Sequence, residues 1–421
     1  MNGMLYVYKS MLNKLQNEWR SPLIFLLFIT MTGALFFSRA VLSLSMIAFV
    51  AVSFFHPGIK KQFLNFFSTP ILWGMSLLFL LPLVSGLWSE DQQQWLDILR
   101  IKLPLLVLPL AFAAPFSLSK KQWDWVVHFF IVVVFVATCW SMFHYVSDMD
   151  SINASYLEAK TLLTPLENDH VRFSWLVAVA LLLSGYSAWQ KRKDTGMEKW
   201  LLAIAMVWFI IFLHLLAART GVFSFYIMLA GLFFWFMLKK AKPVPAILAL
   251  VVLVSLPIAA YFLLPSFQNR VNYFRYDLSY FKKDQYLPGS NDGVRVISIK
   301  AGWTLTNENP LTGVGFGDIE AKIKEQYAKQ YPAMLETDKI LPGSEWMIYG
   351  AGTGWPGLLL FSLVMLIPFF TTVKEKLPWL LLNATAAFSF LFDIGLEVQF
   401  GVFIYAFIIL LNWKRGIAEK M

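Results

Sequence analysis

Charge is scarce in this chain. Only 14% of its 421 residues are Asp, Glu, Lys or Arg, against roughly 25% in soluble domains, and 58% are apolar, so the composition points to a multi-span membrane protein. Cysteine is nearly absent: Cys139 stands alone inside an apolar run, which excludes an intramolecular disulfide and a cysteine metal site. Histidine does not fill that gap, because His56, His128, His144, His170 and His214 show no H-x-x-x-H spacing; no metal and no other cofactor is expected. The net charge of +9 is not read as a nucleic-acid signal, since the basic residues stand in twos and threes between apolar runs rather than on one face. Repeats and low-complexity tracts are not evident. A cleaved leader is not expected either, because about twenty mostly polar residues precede the first apolar run and no small-residue cleavage pattern follows it.

What the chain has is apolar runs of membrane length. A helix crosses the hydrocarbon with about 20 apolar residues, and about twelve spans are expected, near 22–38, 40–56, 70–88, 102–117, 123–145, 171–189, 199–217, 220–238, 243–264, 346–370, 378–396 and 399–413. The predicted fold is an all-α polytopic membrane protein in three parts: spans 1–9 within 1–264, a large helical loop over 265–345, and spans 10–12 within 346–421. Lys/Arg bias sets the orientation. Lys9, Lys14 and Arg20, Lys60 and Lys61, Lys120 and Lys121, Lys191, Arg192 and Lys193, Lys239, Lys240 and Lys242, Lys374 and Lys376, and Lys414 and Arg415 fall on one side. The other side has few: Arg39, Arg100, Lys102, Lys160, Arg172 and Arg219. Both termini are therefore expected in the cytoplasm.

Two outside segments exceed a turn. Val146 to His170 is rather acidic, and Pro265 to Glu345 is the largest polar element; loops of such length between tightly joined helices are usually functional. Within the second, Val294, Ile297, Ile299, Ala301 and Trp303 predict a helix over 293–305, and 319–331 reads as an amphipathic helix. Trp88, Trp95, Trp123 and Trp125 fit an interfacial belt.

Six places on the outer side carry candidate chemistry. Arg219, at the short break between two spans, either snorkels to headgroups or is held between helices as a functional ion. Arg295, in NDGVRVISIKAGW, is a solvated loop arginine or a partner of Arg219, since two guanidiniums clamp a diphosphate through paired bonds. His170 and Arg172 start the sixth span; a histidine there is either an interfacial side chain or a proton carrier. Glu345, where the large loop re-enters the bilayer, is a dipole-stabilised helix start or a proton acceptor. Asp393 and Glu397, four residues apart, read as sharing one helical face and pairing with an outside arginine. Gly313, Gly315 and Gly317, in NPLTGVGFGD, superficially match a dinucleotide loop, but lack its strand–helix context and face away from the cytoplasm; they are a tight turn, with or without a ligand on its N–H groups.

These segments resemble the O-antigen ligase family, polytopic glycosyltransferases of the bacterial inner membrane related to O-antigen polymerases. The resemblance rests on A-R-T-G at Ala218 to Gly221, on the block from Arg295 through W-T-L-T-N-E-N-P-L-T-G-V-G-F-G-D to Asp318, and on T-G-W-P-G-L-L-L-F from Thr353. It covers about half of the chain, the spans and the large loop. It implies a metal-independent, inverting transfer of a glycan from undecaprenyl diphosphate to a sugar hydroxyl on lipid A-core, at a site facing the periplasm. Arg219 and Arg295 would then bind the donor diphosphate. Where the family usually has His-Asn before the tenth span, this chain has Gly343 and Ser344, which leaves Glu345 or His170 as the expected base. The expected partners are the lipid-linked donor, a sugar acceptor and membrane lipid, with no nucleic acid. Three rivals remain: a polymerase or protein oligosaccharyltransferase using the same donor, a flippase of lipid-linked glycan, and a structural membrane subunit, which would not require paired arginines outside. A transporter would be expected to have internal repeats and polar residues near the midplane, whereas the charges here gather at one face.

Overall fold

The computed structural model describes residues 2–158, 160–165, 169–193, 196–238, 243–281 and 286–418. Lys239, Lys240 and Lys242, and residues 166–168 of the acidic loop, lie outside the described residues. The chain is helical, with no strand among those described. This follows from its solvent, because a backbone in hydrocarbon must satisfy its own N–H and C=O groups. The first half holds α1 (Asn2–Phe37), α2 (Arg39–Phe54), α3 (Ile59–Ser68), α4 (Pro70–Ser85), α5 (Gln92–Lys102), α6 (Pro104–Phe112), α7 (Lys120–Ser147) and α8 (Met149–Ser155). Next come α9 (His170–Gln190), α10 (Met197–Leu216), α11 (Arg219–Leu238) and α12 (Pro243–Leu263). The large loop holds α13 (Pro265–Phe281), α14 (Asp292–Glu308) and α15 (Ile319–Gln330), and the chain closes with α16 (Glu345–Phe370), α17 (Lys376–Phe392) and α18 (Gln399–Ala418).

Eight of the described helices are long and apolar enough to cross a membrane, in α1, α7, α9, α10, α11, α12, α16 and α18; α2 and α3, bent by 110° at their junction, make up to nine if counted as one span. The other expected spans are short helices. α4 and α17 have 16 and 17 residues, about 25 Å at ~1.5 Å per residue, and α6 has 9. Proline sets these lengths: Pro70 and Pro104 occupy the first turns of α4 and α6, where the missing N–H costs nothing, and Pro115 follows the end of α6. At the α2–α3 bend, His56 accepts from the Gly58 N–H (2.9 Å) and bonds Gln62 (2.8 Å), which in turn donates to the Leu110 carbonyl (2.8 Å).

The core is aromatic. Phe28 of α1 meets Phe49 of α2, Phe112 of α6, Trp123 of α7 and Phe407 of α18 at ring-centroid distances of 5.0–6.0 Å. Between helices that share lipid as solvent, such close packing supplies the attraction that hydrophobicity does not. Trp123, expected in an interfacial belt, is thus a core residue.

One end of the bundle collects cations that the charge rule assigns to a single side. Arg20 donates to the Pro115 carbonyl (3.4 Å), Lys414 to those of Phe112 (3.0 Å) and Ala114 (2.9 Å), Arg415 lies 3.8 Å from Asp124, and Lys191 pairs with Glu198. The opposite end is capped by α13, α14 and α15. The last two match the helices expected over 293–305 and 319–331.

The large loop is locked to α16. That helix is broken at Thr353 (φ −138°, ψ 18°) and Gly354 (φ 70°, ψ −161°). The Val314 N–H donates to Ala351 O (2.8 Å), the Gly315 N–H to Gly352 O (3.0 Å), and the Trp355 N–H to Pro310 O (2.9 Å). Backbone groups freed by the break are therefore satisfied by the glycine turn, as a non-helical stretch of a membrane helix requires. The two glycine-rich motifs, GVGFGD and AGTGWPG, form one structure.

Candidate functional site

Arg219 owes its place to a hinge. α10 ends at Ala217, the one non-glycine residue of positive φ (48°) among those described, a conformation that costs an L-residue roughly 1–2 kcal/mol. α11 then starts at Arg219 itself. Two residues on, Gly221 lets α11 close on α9: a Cβ there would lie 2.6 Å from Ser174 Cβ and 2.9 Å from its carbonyl oxygen. The guanidinium, one third exposed, forms an ion pair through Nη1 with Asp292 Oδ1, at the first residue of α14. Asp292 Oδ2 is buried without a partner.

Asp292 stands three residues before Arg295, one turn away on the same face of α14. That face is fixed from α13. Buried Asp277 accepts from the Asp292 N–H (2.7 Å) and from the Ser290 hydroxyl, and the Asn291 N–H donates to Tyr273 Oη (3.1 Å). Arg295 donates from Nη1 to the Phe392 carbonyl at the end of α17 (2.6 Å). Its stem passes Gly343, where a Cβ would sit 2.7 Å from Arg295 Cγ. The charges of Arg270 and Arg295 both act on Arg219, so the two arginines singled out in the sequence lie at one end of the bundle, joined by a third.

Arg270, on α13, was not anticipated. It is 8% exposed, its Nη1 has no hydrogen-bond partner, and no carboxylate among the described residues forms an ion pair with it; its guanidinium stacks 5.7 Å from the Tyr273 ring. Burial pulls its pKa down, Tyr156, Tyr273 and Asp277 oppose that, and Arg295 adds to it. A signal was present: Arg270, Tyr273 and Asp277 are spaced i, i+3, i+7, one face of a helix.

Beyond Arg295 the row continues. Arg172, in the first turn of α9, pairs with Asp169 at 2.7 Å and Asp393 at 3.6 Å, and reaches the Ile394 carbonyl at 3.4 Å. Burial lowers the Arg295 pKa, against the pull of Asp393, while Arg172 adds to the lowering; burial raises that of Asp393, against Arg172 and Arg295. Arg172, Asp393, Val171 and Thr220 line a narrow cleft. A second, roomier cleft is lined by Asp169, Arg39, Gln399, Ser43 and apolar side chains. His170, half-buried at the start of α9, lines neither cleft, but its sequence neighbours Asp169 and Val171 line one each.

Glu345 belongs to a different cluster. It is fully buried, lines neither cleft, and accepts from the Leu396 N–H at 2.5 Å, while its Oε2 has no partner. Lys102, itself fully buried, pairs with Glu397 (2.5 Å), donates to the Leu396 carbonyl (3.0 Å) and lies over the rings of Phe316 (5.5 Å) and Tyr349 (5.1 Å). Asp393 and Glu397 do not share a helical face. α17 stops at Phe392, Asp393 is extended (φ −145°, ψ 152°), and a short 3₁₀ turn covers Gly395–Glu397. The two acids thus part, Asp393 to Arg172 and Glu397 to a lysine rather than an arginine.

The glycine run is structural in its contacts. Gly313 (φ 64°) and Gly315 (φ 90°) need the left-handed region. A Cβ on Gly313 would overlap the backbone of Gly352 and Thr353, one on Gly315 would overlap Ser89, and one on Gly317 would overlap the Asp91 carbonyl. The N–H groups of Phe316 and Gly317 donate to Ser85 Oγ (3.1 Å) and Ser89 Oγ (3.2 Å), and Asp318 accepts from the N–H groups of Glu90 (2.8 Å) and Asp91 (2.9 Å).

A family model described as O-antigen ligase matches residues 204–362. The matched stretch includes Arg219, Arg270, Arg295, the glycine run and Glu345, and leaves out Lys102, His170, Arg172, Asp393 and Glu397. No curated protein matches the chain.

Proposed function

From a chain whose residues 204–362 carry the O-antigen ligase domain, which supports a membrane enzyme that transfers glycans in the O-antigen pathway, we propose a specific reaction. The enzyme takes a glycan from undecaprenyl diphosphate and joins it to a sugar hydroxyl of lipid A-core, at the periplasmic face of the bacterial inner membrane, without a metal. The observation that carries this reading is the Arg219–Asp292 ion pair, one helical turn from Arg295. Arg219 feels the charges of Arg295 and Arg270, like charges that a further anion would relieve, and a diphosphate accepts paired bonds from guanidiniums.

In this reading Arg219 and Arg295 neutralise the donor and stabilise charge growing on the leaving group. The acceptor oxygen attacks the anomeric carbon from the face opposite the diphosphate. His170, at the start of α9 and flanked in sequence by a lining residue of each cleft, takes the acceptor proton. Holding both reactants in line contributes up to about 7–11 kcal/mol in ideal cases. Asp393 keeps Arg172 in place beside the cleft, and Glu345 with Lys102 and Glu397 positions the segment that carries Asp393. A polymerase or a protein oligosaccharyltransferase shares every step but the acceptor.

The test is alanine replacement of Arg219 and Arg295, singly, with glycan transfer to lipid A-core followed in membranes. Loss of transfer at normal protein levels supports the transferase. Unchanged transfer overturns it, and blocked donor translocation in its place favours the flippase.

A further inference from the structure

We propose that Arg270 is a third guanidinium of the diphosphate site, one that takes up the negative charge appearing on the leaving group as the glycosidic bond breaks. The inference rests on the diphosphate reading of Arg219 and Arg295.

Three observations carry it. Arg270 is more than nine-tenths buried, and its Nη1 has no hydrogen-bond partner. No carboxylate among the described residues forms an ion pair with it; Asp277, on the same helix, acts on its charge only from a distance and is committed to Ser290 and the Asp292 N–H. Its charge acts on Arg219, and the Arg295 charge acts on both. A buried, unpaired guanidinium beside two others is costly, and the same anion that relieves the first pair relieves the third.

The charge count of the reaction gives the third arginine its task. A glycan-linked polyprenyl diphosphate is esterified at both ends and carries one negative charge on each phosphate. During transfer, a lone pair of the acceptor oxygen forms the new bond to the anomeric carbon. The old carbon–oxygen bond breaks, and its electron pair stays on the phosphate oxygen. The acceptor proton goes to the base. The departing diphosphate is now a monoester with one charge more than the donor had. A donor group aimed at charge that exists only after bond cleavage lowers the barrier without tightening donor binding.

The test uses the full chain in liposomes with purified undecaprenyl-diphosphate-linked glycan and lipid A-core. Arg270→Gln is expected to lower kcat about 10²-fold while donor KM stays within about threefold. Inhibition by undecaprenyl diphosphate is expected to weaken about tenfold more than inhibition by an uncleavable C-glycosidic phosphonate analogue of the donor. Arg270→Lys, which keeps the charge but loses the planar fork, is expected to recover part of kcat. It also carries the test if the glutamine variant does not fold. Unchanged kcat in the folded variants, or equal loss of affinity for both inhibitors, overturns the proposal. Arg219→Ala run alongside separates the failures: if Arg219→Ala abolishes transfer and Arg270 variants do not, this inference alone falls, whereas full transfer by Arg219→Ala removes the reading beneath it.

Discussion

Gly343 lies against the stem of Arg295, so close that a Cβ on the glycine would stand 2.7 Å from the arginine Cγ and 3.1 Å from Ser298 Oγ. The Ser298 hydroxyl also accepts from the Gly343 N–H at 2.9 Å. This is the position where the resembled family usually has histidine. Here any side chain would displace the guanidinium from α14, so a small residue at 343 and the observed course of Arg295 require one another. Gly343→Ala is therefore expected to raise donor KM about tenfold, ~1.4 kcal/mol of binding, at normal protein levels. Steady-state transfer assays check it.

Gly313→Ala should act on stability instead. Its φ of 64° disfavours an L-residue by roughly 1–2 kcal/mol, and the new methyl would overlap the break in α16, adding an overpacking cost of about 1–3 kcal/mol. A drop in the melting temperature of the detergent-solubilised protein is expected, together with reduced yield. An unchanged melting temperature would mean that the glycine turn and the α16 break are not coupled.

Lys102 and Glu397 form a buried pair, and removing one partner leaves the other charge uncompensated. Lys102→Met should destabilise the protein by about 3–5 kcal/mol. The double variant Lys102→Met, Glu397→Gln should be more stable than Lys102→Met alone, because no lone charge from the pair remains. A thermal-melting cycle over the wild type, both single variants and the double variant measures this. Strict additivity would count against the pair.

His170 is expected to take the acceptor proton, so His170→Gln should lower kcat about 10²-fold at normal protein levels. Initial-rate measurements at saturating donor check it, and an unchanged kcat would assign the proton to another group.

Much of this architecture was legible from the sequence, and the exceptions have physical causes. Long apolar runs gave α7, α9, α10, α11 and α12, and alternation with polar positions gave α14 and α15. Short helices such as α6 were harder, since Leu, Val and Pro around Pro104 and Pro109 read as one run that proline divides. Arg219 and Arg295 stood out as lone charges among apolar residues. Arg270 did not, because it sits in a polar segment where one more arginine is unremarkable until its burial is seen. Lys102 ends a polar run, so the charge rule alone makes it an outside loop cation. The spacing of Asp393 and Glu397 implied a shared helical face only while the helix was assumed to continue past Phe392. No local rule reveals that the glycine run and the Thr353–Gly354 break complete each other, because the bonds that join them span about forty residues.

The most direct test of the account is binding of undecaprenyl diphosphate to the purified protein in the presence of a chelator, with wild type, Arg219→Ala and Arg295→Ala compared by ligand-induced thermal stabilisation. The account predicts clear stabilisation of the wild type without divalent cations, and an affinity at least about tenfold weaker in each variant. Stabilisation that disappears with the chelator, or that survives both substitutions unchanged, would contradict it.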